Sequence, residues 1–299
     1  MSITQFPKDK LVRFISIGNS HTNNSTNVLF DVFRAEMPQQ KVLIGNMYHS
    51  GCSVEQQIEF GKANAVEYWY MKNADGNWDI NKEATLSDGL KDQPWDIVIL
   101  HEMNVNYITD GNFDNDKLDV LKAFVREQVS TDPVFIWNMG WANPTDEERI
   151  QTMAAAVNQE VCDNWRNMYV ERADLNYETM YKKLVKATID KVLPGREFKN
   201  VIPTGAAFYY AREVMGLTDK DLYVDYTHAG DFGCLLAAYV WYAVLTGQKE
   251  ITAVHVDKIP ADFRHPSKRP EGDLIITEEM KNVIIQSVNF ALKNNPFNK

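Results

Sequence analysis

At 299 residues, with 44% hydrophobic and 24% charged side chains, the chain carries enough apolar surface for a core without disulfide or metal staples, which excludes a disordered or collagen-like protein. Its formal net charge of -10 argues against a nucleic-acid backbone or an anionic membrane surface as partner, because both reward a basic patch. A neutral or cationic small ligand fits that charge better.

From the N-terminus, Met1 to Lys10 is polar and lacks the apolar segment of a signal peptide, and no apolar run approaches the ~20 residues that span a bilayer. A soluble chain is expected, with compartment and oligomeric state left open. Strand-like runs follow at Leu11 to Ile17, Lys41 to Met47, Asp96 to Leu100, Pro133 to Asn138 and near Val201 and Ile202. They are short and rich in β-branched residues, as strands buried on both faces are. Helical spacing of apolar residues marks Asn27 to Met37, Lys117 to Val129, Asp146 to Asn164, Ala206 to Met215, Asp231 to Thr246 and Thr277 to Lys293. This alternation predicts an α/β fold with a central parallel sheet and helices on both faces.

Between the second and third runs, Tyr68-Trp69-Tyr70-Met71 and Trp78-Asp79-Ile80 flank the turn-forming residues Asn73-Ala74-Asp75-Gly76-Asn77, which predicts an inserted β-hairpin over about 67–81. Pro260 to Gly272, charged and proline-rich, is expected to be an exposed loop before a final helix at about 277–293. No repeat or linker divides 1–299, so one domain is expected. The three cysteines, Cys52, Cys162 and Cys234, are odd in number and lack metal-type spacing, and are expected to be packed thiols.

Chemistry concentrates at two places. In Ser16-Ile17-Gly18-Asn19-Ser20-His21-Thr22 an apolar strand ends in a small-residue turn ahead of a helix, which puts Ser20 at the carboxyl edge of the sheet, where ligands of open parallel sheets bind. Helix capping by Ser20 or Thr22 is the plain alternative. Thr22 stands where a nucleophile elbow needs its second glycine, so an ordinary α/β-hydrolase elbow is disfavoured. A serine hydroxyl needs an adjacent base held in the right tautomer by a third group. Val224-Asp225-Tyr226-Thr227-His228 supplies both, with Asp225 three residues before His228. A surface hydrogen bond is the alternative there, and His21, His49 and His101 compete as the base. A metal reading would recruit His49, His101 and Glu102, but no metal-binding motif spacing accompanies them, and neither metal nor cofactor is expected.

Together these residues resemble the SGNH (GDSL-like) hydrolase superfamily. Gly18-Asn19-Ser20 is similar to its first block and Asp225-Tyr226-Thr227-His228 to its last, while Gly51, in His49-Ser50-Gly51-Cys52-Ser53-Val54-Glu55, matches the glycine that helps form an oxyanion hole. More narrowly the chain is similar to bacterial DUF4886-like proteins, through those blocks, the hairpin around Asp75-Gly76, Trp95-Asp96-Ile97-Val98-Ile99-Leu100 and Val201-Ile202-Pro203-Thr204-Gly205-Ala206-Ala207-Phe208. The resemblance implies a three-layer, flavodoxin-like α/β/α fold. It also implies a serine esterase cleaving an O-acyl ester, O-acetyl in the first instance, on a small molecule or carbohydrate, with catalytic Ser20, Asp225 and His228. The superfamily's third block, Gly-x-Asn-Asp, is replaced by His101-Glu102-Met103-Asn104-Val105-Asn106. Asn104 is the nearest substitute as third oxyanion donor beside the Ser20 and Gly51 amides, with Asn106 or His101 as alternatives. This departure leaves open a carbohydrate-binding protein that keeps the fold without useful catalysis. Trp141, Trp137 and Trp69 are read as packing residues before sugar platforms, Trp141 being the one whose exposure would let it stack on a sugar.

Overall fold

The short β-branched runs become strands because both of their faces are covered. In the computed structural model, which describes residues 10–108, 115–156, 158–173, 176–194, 197–259 and 275–298, they form β1 (Val12–Gly18), β2 (Val42–Tyr48), β5 (Ile97–Leu100), β6 (Val134–Asn138) and β7 (Phe198–Ile202). All are mutually parallel, and β1 lies between β2 and β5. β3 (Tyr68–Asn73) and β4 (Trp78–Ala84) complete a seven-stranded sheet of order β4-β3-β2-β1-β5-β6-β7. The hairpin is therefore not a separate insertion. β3 pairs antiparallel with β2, and β4 with β3, so the two strands extend the main sheet to its edge. Its turn closes as the residue types demand: Gly76 takes φ +106°, and Asn73 Oδ1 accepts from the Gly76 amide at 2.8 Å.

The helices sort by their packing. α1 (Ser20–Thr26), α2 (Leu29–Glu36), α10 (Thr204–Glu213), α12 (Asp231–Leu245) and α13 (Glu278–Lys293) gather around α12, whose residues from Phe232 to Leu245 are all buried. α3 (Val54–Ala63), α4 (Leu86–Asp92) and α6 (Asn115–Gln128) pack together as a second group. Right-handed crossovers that run outward from β1 in opposite directions along the sheet place these groups on opposite faces, which gives the three layers. The predicted helix over Asp146 to Asn164 is two helices, α7 (Glu147–Ala156) and α8 (Gln159–Ala173), while α3, α4, α5 (Asn104–Tyr107), α9 (Tyr177–Ala187) and α11 (Asp219–Leu222) had no expected counterpart. Pro260 to Gly272 lies outside the described residues. No described helix is long and apolar enough to cross a membrane, and Cys52, Cys162 and Cys234 are buried free thiols.

The order of strands leaves a crevice where chain direction along the sheet reverses, at the carboxyl ends of β1, β2 and β5. One close junction beside it depends on a missing side chain. The Gly205 amide, at the start of α10, donates to the Met139 carbonyl at 3.1 Å, and a methyl group at Gly205 would run into the Gly140 carbonyl oxygen. Gly205→Ala is expected to destabilise the protein by about 1–3 kcal/mol. A denaturant midpoint equal to wild type would show that the junction gives way freely.

Candidate active site

β1 ends at Gly18, which must be glycine: a Cβ there would lie 2.6 Å from Thr22 Cγ2 and 3.3 Å from His101 Cβ. The next residue, Asn19, caps α1 by accepting from the His21 amide at 3.1 Å, and its Nδ2 donates to the Cys52 carbonyl at 3.2 Å. Asn19 thus joins the end of β1 to the turn after β2. That leaves Ser20 as the first residue of α1, a position whose amide has no acceptor within its helix. The turn after β2 places Gly51 at φ +63°, a left-handed conformation that glycine adopts without strain. Ser20 and Gly51 line one cavity of about 100 Å³ together with Asn104, Asn143, Tyr226 and Thr227.

The distant segment arrives at the same rim. Asp225 is almost fully buried, and its Oδ1 accepts from the amides of Thr227 at 3.0 Å and His228 at 2.8 Å. His228 Nδ1 lies 3.0 and 2.9 Å from the two carboxylate oxygens. Because an ionised carboxylate only accepts, the hydrogen bond is donated by Nδ1, which leaves Nε2 as the ring nitrogen turned away from Asp225. Three side chains from the β6–β7 connection hold the loop's carbonyls: Trp141 Nε1 donates to Thr227 at 3.0 Å, Asn143 Nδ2 to Tyr226 at 3.1 Å and an Arg149 Nη1 to Val224 at 3.3 Å. Two contacts tie the loop to α1, Ala229 N to Asn24 Oδ1 and His21 Nε2 to Thr227 Oγ1, both at 3.2 Å. Tyr226 and Thr227 of this loop line the cavity of Ser20, but Ser20 Oγ makes no hydrogen bond with any described residue, His228 included.

The candidates for the third donor separate clearly. Asn104 lines the cavity, but its Nδ2 donates to the Trp141 carbonyl at 2.5 Å and lies 3.4 Å from His21 Nδ1, while its Oδ1 has no partner. Asn106 points away and donates to Glu102 Oε1 at 3.2 Å. His101 is fully buried, bonded through Nδ1 to the Asn138 carbonyl at 3.0 Å, and its Nε2 has no partner. His49 turns to the Glu67 carbonyl at 2.6 Å, among Phe60 and Tyr68. No described group of three or more His, Cys, Asp or Glu is placed to hold a metal ion.

Trp141 is not exposed. Its indole is fully buried, stacked between His21 at 4.2 Å and Phe208 at 4.7 Å, so it cannot present a face to a sugar. Trp137 is also buried, while Trp69 is half-buried. Gly140 allows this crowding, since a Cβ there would come within 2.5 Å of Asn104 Oδ1 and 3.0 Å of both His21 Nδ1 and His101 Cε1. Nothing in the sequence pattern flagged Asn19, Gly140 or Asn143.

Burial sets the charge states around the cavity. It pushes the His101 imidazole down to about 4 and that of His21 well below the ordinary histidine range, the latter helped by the neighbouring His101 and His228. Burial also raises Glu102 to about 7, although it accepts from the Val54 amide at 2.9 Å, the Met103 amide at 2.6 Å and Asn106.

The fold and the site define a doubly wound α/β protein that carries a serine, an imidazole and a carboxylate at the carboxyl edge of its sheet. The chain belongs to the family described as "Domain of unknown function (DUF4886)", whose match covers residues 13–258. It is similar in fold to a DUF4886 family protein from Bacteroides uniformis ATCC 8492, with a TM-score of 0.70 and 22% identity over 95% of this chain and 96% of that one. A putative SGNH hydrolase from Slackia heliotrinireducens gives a TM-score of 0.43 at 13% identity, over 78% of this chain and 97% of that one. An acetylxylan esterase from Geobacillus stearothermophilus gives 0.42 at 14%, over 79% and 94%. A comparison with curated proteins finds no match.

These charge states predict how stability changes with acid. The depressed histidines contribute stability that is present above their unfolded value of 6.5 and is lost as pH falls, for His101 down to about 4. Glu102, raised from 4.5 to about 7, acts in the opposite sense: its contribution is present below 4.5 and is lost as pH rises through 7. Two histidines against one carboxyl leave a net loss of stability on acidification, and Glu102→Gln is expected to make the fall between pH 7 and 5 steeper than in wild type. Unfolding midpoints measured across that range test this; equal slopes would show that Glu102 titrates alike in the folded and unfolded chain.

Proposed function

We infer that this chain is a serine esterase that removes a short O-acyl group, an O-acetyl group in the first instance, from a carbohydrate through an acyl-enzyme. The observation that carries the reading is the Asp225–His228 pair, bonded through Nδ1, in a loop tied to the helix that begins with Ser20 by the Asn24 and His21 side chains. In the proposed reaction His228 Nε2 takes the proton of Ser20 as the hydroxyl oxygen attacks the ester carbonyl. Asp225 stabilises the imidazolium that results. His228 then gives its proton to the departing alcohol, and water, activated by the same imidazole, releases the acid from Ser20.

The amides of Ser20 and Gly51 are the proposed donors to the oxyanion, and Asn104 the third. Of the two Asn104 Nδ2 hydrogens, the one directed at His21 Nδ1 over 3.4 Å is the weaker bond and is the one available to a developing negative charge. A cavity of about 100 Å³ beside Ser20 suits a short acyl group and has no room for a long chain.

A second reading, a carbohydrate-binding protein without useful catalysis, is favoured by two features: the missing Ser20–His228 hydrogen bond and the engagement of Asn104 with Trp141. A fluorophosphonate probe separates the readings, since an active enzyme is labelled at Ser20 and a binding protein is not. Ser20→Ala and His228→Ala are each expected to lower kcat on p-nitrophenyl acetate by about 10⁴-fold or more, because these groups act as a unit. Turnover equal to wild type in either variant would reject the assignment. Asn104→Ala is expected to lower kcat by about 10²-fold with little change in KM; a change confined to KM would remove Asn104 from the oxyanion site.

A further inference from the structure

We propose that a row of aromatic side chains, leading from His228 across Tyr226 and Tyr48 to Trp69, is a subsite for a neutral sugar ring in the alcohol portion of the substrate. The proposal rests on the esterase reading and gives its carbohydrate a place to bind.

Strand geometry puts these rings on one face. Met47 packs toward α4, with its sulfur over Gly89, so Tyr48, the next residue of β2, points to the opposite face, that of α1. Trp69 is the direct antiparallel partner of Tyr48 and therefore points the same way. The two rings meet edge to face with centroids 5.7 Å apart. Both sit at the carboxyl edge of the parallel strands, and Tyr48 lies two and three residues before Ser50 and Gly51, which line the cavity of Ser20. The ring of Tyr226 lies 6.0 Å from that of His228, tilted by 66°. Tyr226 packs on Ile150 and Cys162 and lines the same cavity. The Tyr226 phenol is raised first by burial, then by the charge of Asp225 and last by Tyr48. Tyr48, Trp69, Tyr226 and His228 are all half-buried. The exposed Lys82 of β4 sits over the Trp69 ring, 4.3 Å from its centroid, and ends the row.

This chemistry matches a sugar. A pyranose has an apolar C–H face, which packs on an aromatic face, and a hydroxyl edge, which finds the phenol oxygens and the ammonium group along this row. A fatty chain would need a closed apolar groove, and a polyanion would meet a chain of net charge -10 with a single lysine on this path.

Two measurements test the proposal, and their failures are separable. With acetylated xylo-oligosaccharides as substrate, Trp69→Ala is expected to raise KM about tenfold more than it changes KM for p-nitrophenyl acetate, and Trp69→Tyr to recover most of that loss. Binding of unacetylated xylohexaose, cellohexaose and chitohexaose, followed by tryptophan fluorescence, is expected for at least one of the three and to weaken about tenfold in Trp69→Ala. A protein that binds in this way but hydrolyses no acetyl ester keeps the subsite and loses the esterase reading. A protein that hydrolyses acetyl esters, binds none of the three sugars and shows equal KM changes on both substrates keeps the esterase reading and overturns the subsite.

Discussion

The indole of Trp141 joins three segments far apart in the chain. Its faces lie against His21 and Phe208, its Nε1 donates to the Thr227 carbonyl and its own carbonyl accepts from Asn104. Each contact is modest, about 0.5–1.5 kcal/mol for a ring pair and about 1 kcal/mol for a hydrogen bond. They add to the direct contacts of His21 with Thr227 and Asn104 and of Ala229 with Asn24, which join the same three segments. A residue that takes no proposed part in the chemistry thus helps to hold the site together.

That role explains the crowding around Gly140. Two imidazoles, an amide and an indole meet where a Cβ would not fit, so the segment after β6 must expose bare backbone to them. The crowding also excludes water, and the histidines of this cluster stay neutral because no solvent supports their charge. His228 has a carboxylate partner and 22% of its side chain exposed. Among histidines within one small volume, partner and exposure separate the proposed base from those that only pack.

Much of this was legible in the sequence. Short β-branched runs marked the parallel strands because full burial leaves little else for a strand to be, and α12 declared itself through apolar residues on every side. The Asp225–His228 hydrogen bond was legible because an aspartate three residues before a histidine in a turn can reach its Nδ1. Local sequence did not reveal which partner a polar side chain chooses. Asn104 and Asn106 are both asparagines on one short helix, yet one faces the cavity and the other bonds Glu102. Nor did it reveal that Trp141 is buried, because that is decided by His21 and Phe208 from other parts of the chain. The hairpin was recognised from its turn, but its docking on β2 depends on backbone pairing, which leaves little trace in side-chain pattern.

That docking bears on the reaction proposed for the site. With β3 on one side and β1 on the other, β2 has no free margin, and the tight bend that follows it is anchored by Asn19 through the Cys52 carbonyl. An amide in such a bend is aimed once, during folding, and does not have to be reoriented for each substrate. Preorganisation of this kind lets a backbone dipole act on a transition state without a reorganisation penalty, and here its rigidity is supplied by hairpin strands β3 and β4, which contribute no reacting group.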